Sequence, residues 1–140
     1  MFWTKNNPDK YLPKRVIDAL QANFNDHELV ELSKLGTPIE VEAGTKLTVQ
    51  GTIGKEALIL VDGIAEVVRN GETVATLRGG DVVGEIALLT GEPRNATVQA
   101  TTAVSLYAMS AREFASLLSR CPRLDRSVNS TAVHRATANA

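Results

Sequence analysis

Between residues 13 and 35 the apolar side chains recur at three- and four-residue steps: Val16, Ile17 and Leu20, then Leu29, Leu32 and Leu35. That spacing predicts two amphipathic helices. Pro13 suits the first turn of the first helix, and Asn23 and Asn25 interrupt the pattern. Asn25 with Glu28 forms a capping box that opens the second helix, and Gly36 followed by Pro38 ends it. His27, in that helix's first turn, reads as a solvated surface residue. From Thr37 the period falls to two. Ile39 and Val41 alternate with Glu40 and Glu42, and Leu47 and Val49 follow a turn at 43–45. Residues 57–61 form an unbroken apolar run, as expected of a strand buried on both faces. Residues 64–68 resume pairing after Gly63. Asn70-Gly71 is the strongest hairpin signal in the chain and joins that strand to 73–77. A turn at 78–81 leads into Val82 and Val83. Later, Val98 and Ala100, then Val104, Leu106 and Ala108, supply two more strands. Ser110 and Glu113 make a second capping box, which opens a helix with Phe114, Leu117 and Leu118 on one stripe. It closes near Cys121, and Pro122 can begin another helix carrying Leu124 and Val128.

Short strands at this spacing with glycine-rich turns predict a mainly β domain, an antiparallel roll or sandwich with flanking helices. A chain of 140 residues with 44% apolar content suits one core, burying about 68–70% of its unfolded surface. The expected organisation is an N-terminal helical extension over 1–23, the β-roll domain with its flanking helices over 24–121, and a C-terminal helix and tail over 122–140. The tail is polar, Ala/Thr-rich and compatible with disorder at its end. Phe2 and Trp3 read as an anchor or as a disordered start. Arg120, Arg123 and Arg126 read as a solvated face.

The net charge of −1 and the mixing of signs argue against a nucleic-acid partner. The single cysteine excludes an internal disulfide and points to a reducing compartment. The opening residues lack the apolar stretch of a leader, and no run approaches the roughly 18 apolar residues that cross a membrane. The expected location is the cytoplasm. The triplets at 95–97 and 129–131 match a glycosylation signal only by chance in that setting.

The segment 84–97 carries the chemistry. Gly84 allows a close backbone approach, and the short helical stretch after it offers N–H groups that have no partner within the helix. Those donors and the helix dipole favour a phosphate. A loop through Gly91 and Pro93 returns Arg94, suited to bidentate contact with phosphate oxygens. Glu85 would repel an anion, so it pairs with Arg94 or accepts a hydrogen bond from the ligand. A ribose hydroxyl is such a donor. A cyclic nucleotide joins an anionic phosphate and a free 2′-hydroxyl on one compact frame.

Gly84-Glu85-Ile86-Ala87-Leu88 and Arg94-Asn95-Ala96-Thr97, with the loop between them, strongly resemble the phosphate-binding cassette of the cyclic nucleotide-binding domain family. The order of elements from about residue 24 to 121 also resembles that family. The resemblance implies an eight-stranded antiparallel jelly roll, or double-stranded β-helix, whose cassette supplies a short phosphate-binding helix. It implies a ligand-contacting set of Gly84, Glu85, Ile86, Ala87, Arg94, Asn95 and Ala96. Gly84, Ala87 and Ala96 would offer backbone contacts, Glu85 would take the ribose hydroxyl and Arg94 the cyclic phosphate. Family members often carry an aromatic residue where Val83 stands. The residue after the arginine is commonly Ala in cyclic AMP binders and Thr in many cyclic GMP binders; here it is Asn95. The resemblance further implies C-terminal helices that hinge on the barrel.

The leading expectation is therefore a stand-alone sensor or regulatory domain that binds cyclic AMP and shifts its terminal helices on binding, with cyclic GMP as the other candidate. Neither cofactor nor metal is expected, and a protein partner would dock on the N- or C-terminal helices. The competing reading is a ligand-free structural or interaction module in which Glu85 and Arg94 pair internally. An enzyme is not expected. A metal-dependent roll needs clustered histidines, whereas His27 and His134 both lie outside the strands, and no nucleophile with a plausible base appears.

Overall fold

A computed structural model describes residues 7–125; Phe2, Trp3, Arg126, Val128, His134 and the tail lie outside that range. A short 3-10 helix, Pro8–Lys10, leads to α1 (Lys14–Leu20) and α2 (Asp26–Leu35). The strands are β1 (Thr37–Val41), β2 (Lys46–Thr48), β3 (Glu56–Asp62), β4 (Ala65–Arg69), β5 (Glu72–Leu77) and β6 (Val82–Val83). Then come α3 (Glu85–Thr90), β7 (Thr97–Ala100), β8 (Val104–Ser110) and α4 (Ala111–Arg120). Two four-stranded antiparallel sheets result, one ordered β1-β8-β3-β6 and the other β2-β7-β4-β5. This is the expected antiparallel eight-stranded roll.

The continuous apolar run at 57–61 has a clear physical reason. β3 lies in the middle of its sheet between β8 and β6, and both of its faces are covered. Leu58 and Leu60 point between the sheets, where they meet Leu77, Val83, Val98 and Leu106. Ala57, Ile59 and Val61 point the other way, into a second cluster with Leu20, Leu29, Leu32, Phe114 and Leu117 from the helices. β8 splits similarly, with Val104, Leu106 and Ala108 inward and Tyr107 and Met109 toward the helices. Each fully buried leucine or isoleucine here contributes about 1.5–3 kcal/mol. The second sheet behaves differently. All but the last residue of β5 are exposed, so its turn chemistry matters more than its apolar content. Asn70 at φ 53 and Gly71 at φ 83 form the expected tight turn, a conformation favoured by Asn-Gly. Pro38, which cannot donate to a ladder, is tolerated because β1 is an edge strand.

Both expected capping boxes are present, Asn25 with Glu28 and Ser110 with Glu113. The helix-packing residues also match the predicted stripes: Val16, Ile17 and Leu20 on α1, Leu29 and Leu32 on α2, and Phe114, Leu117 and Leu118 on α4 are buried. Helix α1 shares one core cluster with β3, β8, α2 and α4.

The reading of Arg120 and Arg123 as a solvated face is corrected in one respect: both are exposed, but each also pairs with a buried carboxylate. Arg120 Nη1 pairs with Glu31 Oε2 at 3.2 Å, and Arg123 Nη2 pairs with Glu28 Oε1. The glutamates are nearly inaccessible, at 8% and 1% exposure, although half of each arginine remains in water. The end of α4 and the residues just after it thus bring cations to carboxylates of α2. His27 is corrected too: it is half-buried, and its Nε2 lies 2.9 Å from the Arg120 carbonyl. Cys121 sits buried beside these pairs. Burial, with help from Glu28 and Glu31, raises its pKa to about 11, so it remains an unreactive thiol near neutral pH.

Arg123→Ala would leave Glu28 buried without its cation. The expected loss is about 1–3 kcal/mol, measured by urea unfolding against Lys14→Ala, which removes only an exposed pair with Asp18. Equal losses in the two variants would show that the Arg123–Glu28 pair does not support the helix contact.

Candidate functional site

Helix α3 starts from Gly84, whose φ of 86 lies in the left-handed region that glycine adopts without steric cost. No side chain caps its first turn. The helix places Glu85 at 1% exposure and Ala87 at 6%. After Gly91 the chain returns along the loop at 50–54. Arg94 N donates to Thr52 O at 2.7 Å, Gly51 N donates to Arg94 O at 2.8 Å, and Ile53 bridges Pro93. These bonds clasp the Arg94 backbone onto the 50–54 loop.

The Arg94 side chain is seated in a slot built by absence. Its Nη1 donates to Gly84 O at 2.9 Å and its Nη2 to Glu56 O at 2.7 Å. A Cβ on Gly54 would collide with the guanidinium, and so would a Cβ on Gly84, which would also lie 2.9 Å from Glu56 O. Burial pulls the Arg94 pKa below its ordinary value, and the Glu56 and Glu85 carboxylates oppose that shift. An arginine remains charged under such conditions, so a partly desolvated cation faces the cavity.

That cavity has a volume of about 220 Å³. Gly84, Glu85, Ala87, Arg94, Asn95 and Ala96, six of the seven expected contact residues, line it together. Ile86 lies in α3, and its side chain falls outside the described set. The opposite wall comes from the second sheet: Val67, Val74, Ala75, Leu77 and Val98 make it apolar. An apolar wall in the same cavity as a guanidinium suits a ligand with one apolar and one anionic part.

Three participants were not anticipated from the sequence. Thr48 is buried, donates to Ala96 O and accepts from Val98 N, each at 3.1 Å. It secures the end of the 84–97 segment where the β2–β7 register shifts. Gly54 provides room for Arg94. Arg69, at the end of β4, lines the same cavity and donates from Nε to Asn95 O at 3.1 Å. The glycine-rich composition of 50–54 was the only local signal for Gly54; Thr48 and Arg69 had none.

Among the described residues no group of three His, Cys, Asp or Glu is placed to hold a metal ion, and no helix is long and apolar enough to cross a membrane.

The family model of the cyclic nucleotide-binding domain matches residues 38–121, and the chain belongs to that family. It is 38% identical over 111 residues to a cAMP-dependent protein kinase regulatory subunit of Schizosaccharomyces pombe, a match covering 79% of this chain and 23% of that protein. It is 35% identical over 107 residues to a cyclic nucleotide-gated potassium channel of Rhizobium etli, covering 76% of this chain and 30% of the channel. The chain thus spans less than a third of each relative. In fold it is similar to the crystal structure of Thermus thermophilus catabolite activator protein, with a TM-score of 0.72 at 22% identity over 86% of this chain and 59% of that one.

The two glycines flanking Arg94 make different predictions. Gly84→Ala adds a Cβ at positive φ and against a backbone oxygen, with an expected cost of about 1–3 kcal/mol. Gly54→Ala meets only the end of a flexible side chain, so it should move Arg94 while leaving stability nearly unchanged. Thermal unfolding of both variants checks the contrast, and a stability loss for Gly54→Ala as large as for Gly84→Ala would contradict it.

Proposed function

We propose that this domain binds a cyclic nucleotide in the 220 Å³ cavity, with cyclic AMP as the preferred ligand, and acts as a non-catalytic regulatory domain in the cytoplasm. The observation that carries the reading is the convergence of the Arg94 guanidinium, the buried Glu85 carboxylate and the start of α3 on one cavity with an apolar far wall. Arg94 would take the cyclic phosphate with backbone N–H groups of the 84–97 segment, and Glu85 would accept from the ribose 2′-hydroxyl. Cyclic AMP is preferred because residue 95 is not Thr and because the S. pombe relative is named as cAMP-dependent. Ligand would act on the terminal helices through α3. Leu88, on that helix, packs against the cluster that includes Phe114 and Leu117 of α4, so a shift of α3 changes what α4 rests on. A ligand biases such an equilibrium only through differential affinity for its two states. A protein partner docking on α1, α2 or α4 would receive the change.

Calorimetric titration with cyclic AMP and cyclic GMP tests binding. Saturation at about 100 times the dissociation constant should add about 2.7 kcal/mol of stability, and no response to either nucleotide would favour the ligand-free module. Arg94→Ala should weaken binding by on the order of ten- to a hundredfold. Glu85→Ala should weaken cyclic AMP more than its 2′-deoxy analogue; equal penalties would remove Glu85 from the ribose. Hydrogen exchange in α4 is expected to change on saturation, whereas unchanged protection would mean passive binding.

A further inference from the structure

Among the described residues, the ionisable side chains lining the cavity are Arg69, Glu85 and Arg94. Both Glu85 and Glu56 act electrostatically on Arg94, and two of its donors hold backbone carbonyls. A cyclic nucleotide carries one negative charge. An Arg94–Glu85 combination by itself would offer that anion a nearly neutral wall, with Glu85 repelling what Arg94 attracts.

Arg69 changes the sum. It closes β4 immediately before the Asn70-Gly71 turn, is half-buried, and points at the same cavity. Its position is braced from two sides. Nε donates to Asn95 O at 3.1 Å, and the neighbouring turn is tied down by Gln50, whose amide exchanges two hydrogen bonds with Asn70 at 2.8 and 3.0 Å. A guanidinium held in place loses little entropy on meeting an anion. The bond to Asn95 has a second effect. The Asn95 carbonyl and the Ala96 N–H share one planar trans peptide and point in opposite directions, so the Arg69 contact also sets the direction of the donor at 96.

We propose that Arg69 is a further ligand-binding residue of this site, supplying the net positive charge that a monoanionic cyclic nucleotide requires. The inference rests on the reading of the ligand as a cyclic nucleotide. It adds a contact from the second sheet to a set otherwise drawn entirely from 84–97.

The test compares wild type, Arg69→Gln and Arg69→Lys in binding cyclic AMP and uncharged adenosine. Measurements at about 0.01 M and about 1 M salt take the screening length from about 30 Å to about 3 Å. Arg69→Gln should weaken cyclic AMP binding by on the order of tenfold at low salt, and the deficit should shrink at high salt. Arg69→Lys should lose about threefold or less, and adenosine binding should not respond to either variant. Arg69→Gln binding cyclic AMP as tightly as wild type at low salt would overturn the proposal. So would a loss that ignores salt and appears equally with adenosine, since that pattern marks a purely structural residue. If Arg69→Gln does not fold, Arg69→Lys decides: a loss of about tenfold or more despite the retained charge would overturn it. A wild type that binds neither cyclic AMP nor cyclic GMP would overturn the functional reading itself, and this inference with it.

Discussion

The structure depends on a strand that has no solvent face. β3 runs between β8 and β6, and its alternate residues enter two separate cores, Leu58 and Leu60 between the sheets and Ala57, Ile59 and Val61 under the helices. Because the side-chain period of a strand is two, a one-residue slip would exchange both sets at once. Register is therefore pinned from both sides. The same strand begins at Glu56, whose carbonyl accepts from Arg94. Arg94 is thus referenced to the start of this strand.

This arrangement explains how a short helix of six residues can hold a buried carboxylate and present a cation beside it. Neither α3 nor the loop after it has the length to fix a side chain alone. The fixing is done elsewhere: by Glu56 O, by the 50–54 loop that clasps the Arg94 backbone, and by Thr48 and Arg69, which hold the carbonyls of Ala96 and Asn95. Desolvation works against the guanidinium and the nearby carboxylates work for it. Such a balance leaves a cation that is organised in advance.

The terminal helices form part of the same system. α4 starts at the end of β8; its last residue, Arg120, pairs with Glu31 of α2, and Arg123 just beyond it pairs with Glu28. These are polar contacts over a hydrophobic cluster that also receives Leu88 from α3. Through Leu88, helix α3 therefore touches the same core as α1, α2 and α4.

The sequence by itself determined what is local. Capping boxes at Asn25 and Ser110, the Asn70-Gly71 turn, the change of period at Thr37 and the two-faced run at 57–61 all rest on interactions within a few residues or on simple alternation. They were legible for that reason. The segment 84–97 was legible as well, because most of its chemistry is contiguous and its spacing is specific. What only the tertiary structure decided is which distant groups meet. Glu28 and Arg123 are separated by 95 positions, and His27 and Arg120 by 93, so His27, Arg120 and Arg123 read as solvated and Glu28 only as a cap. Gly54 appeared to be one more turn glycine until Arg94 was seen to lie against it. Arg69 carried no local signal, and only the packing of the second sheet against the cassette, which no local pattern encodes, brought its charge to the cavity.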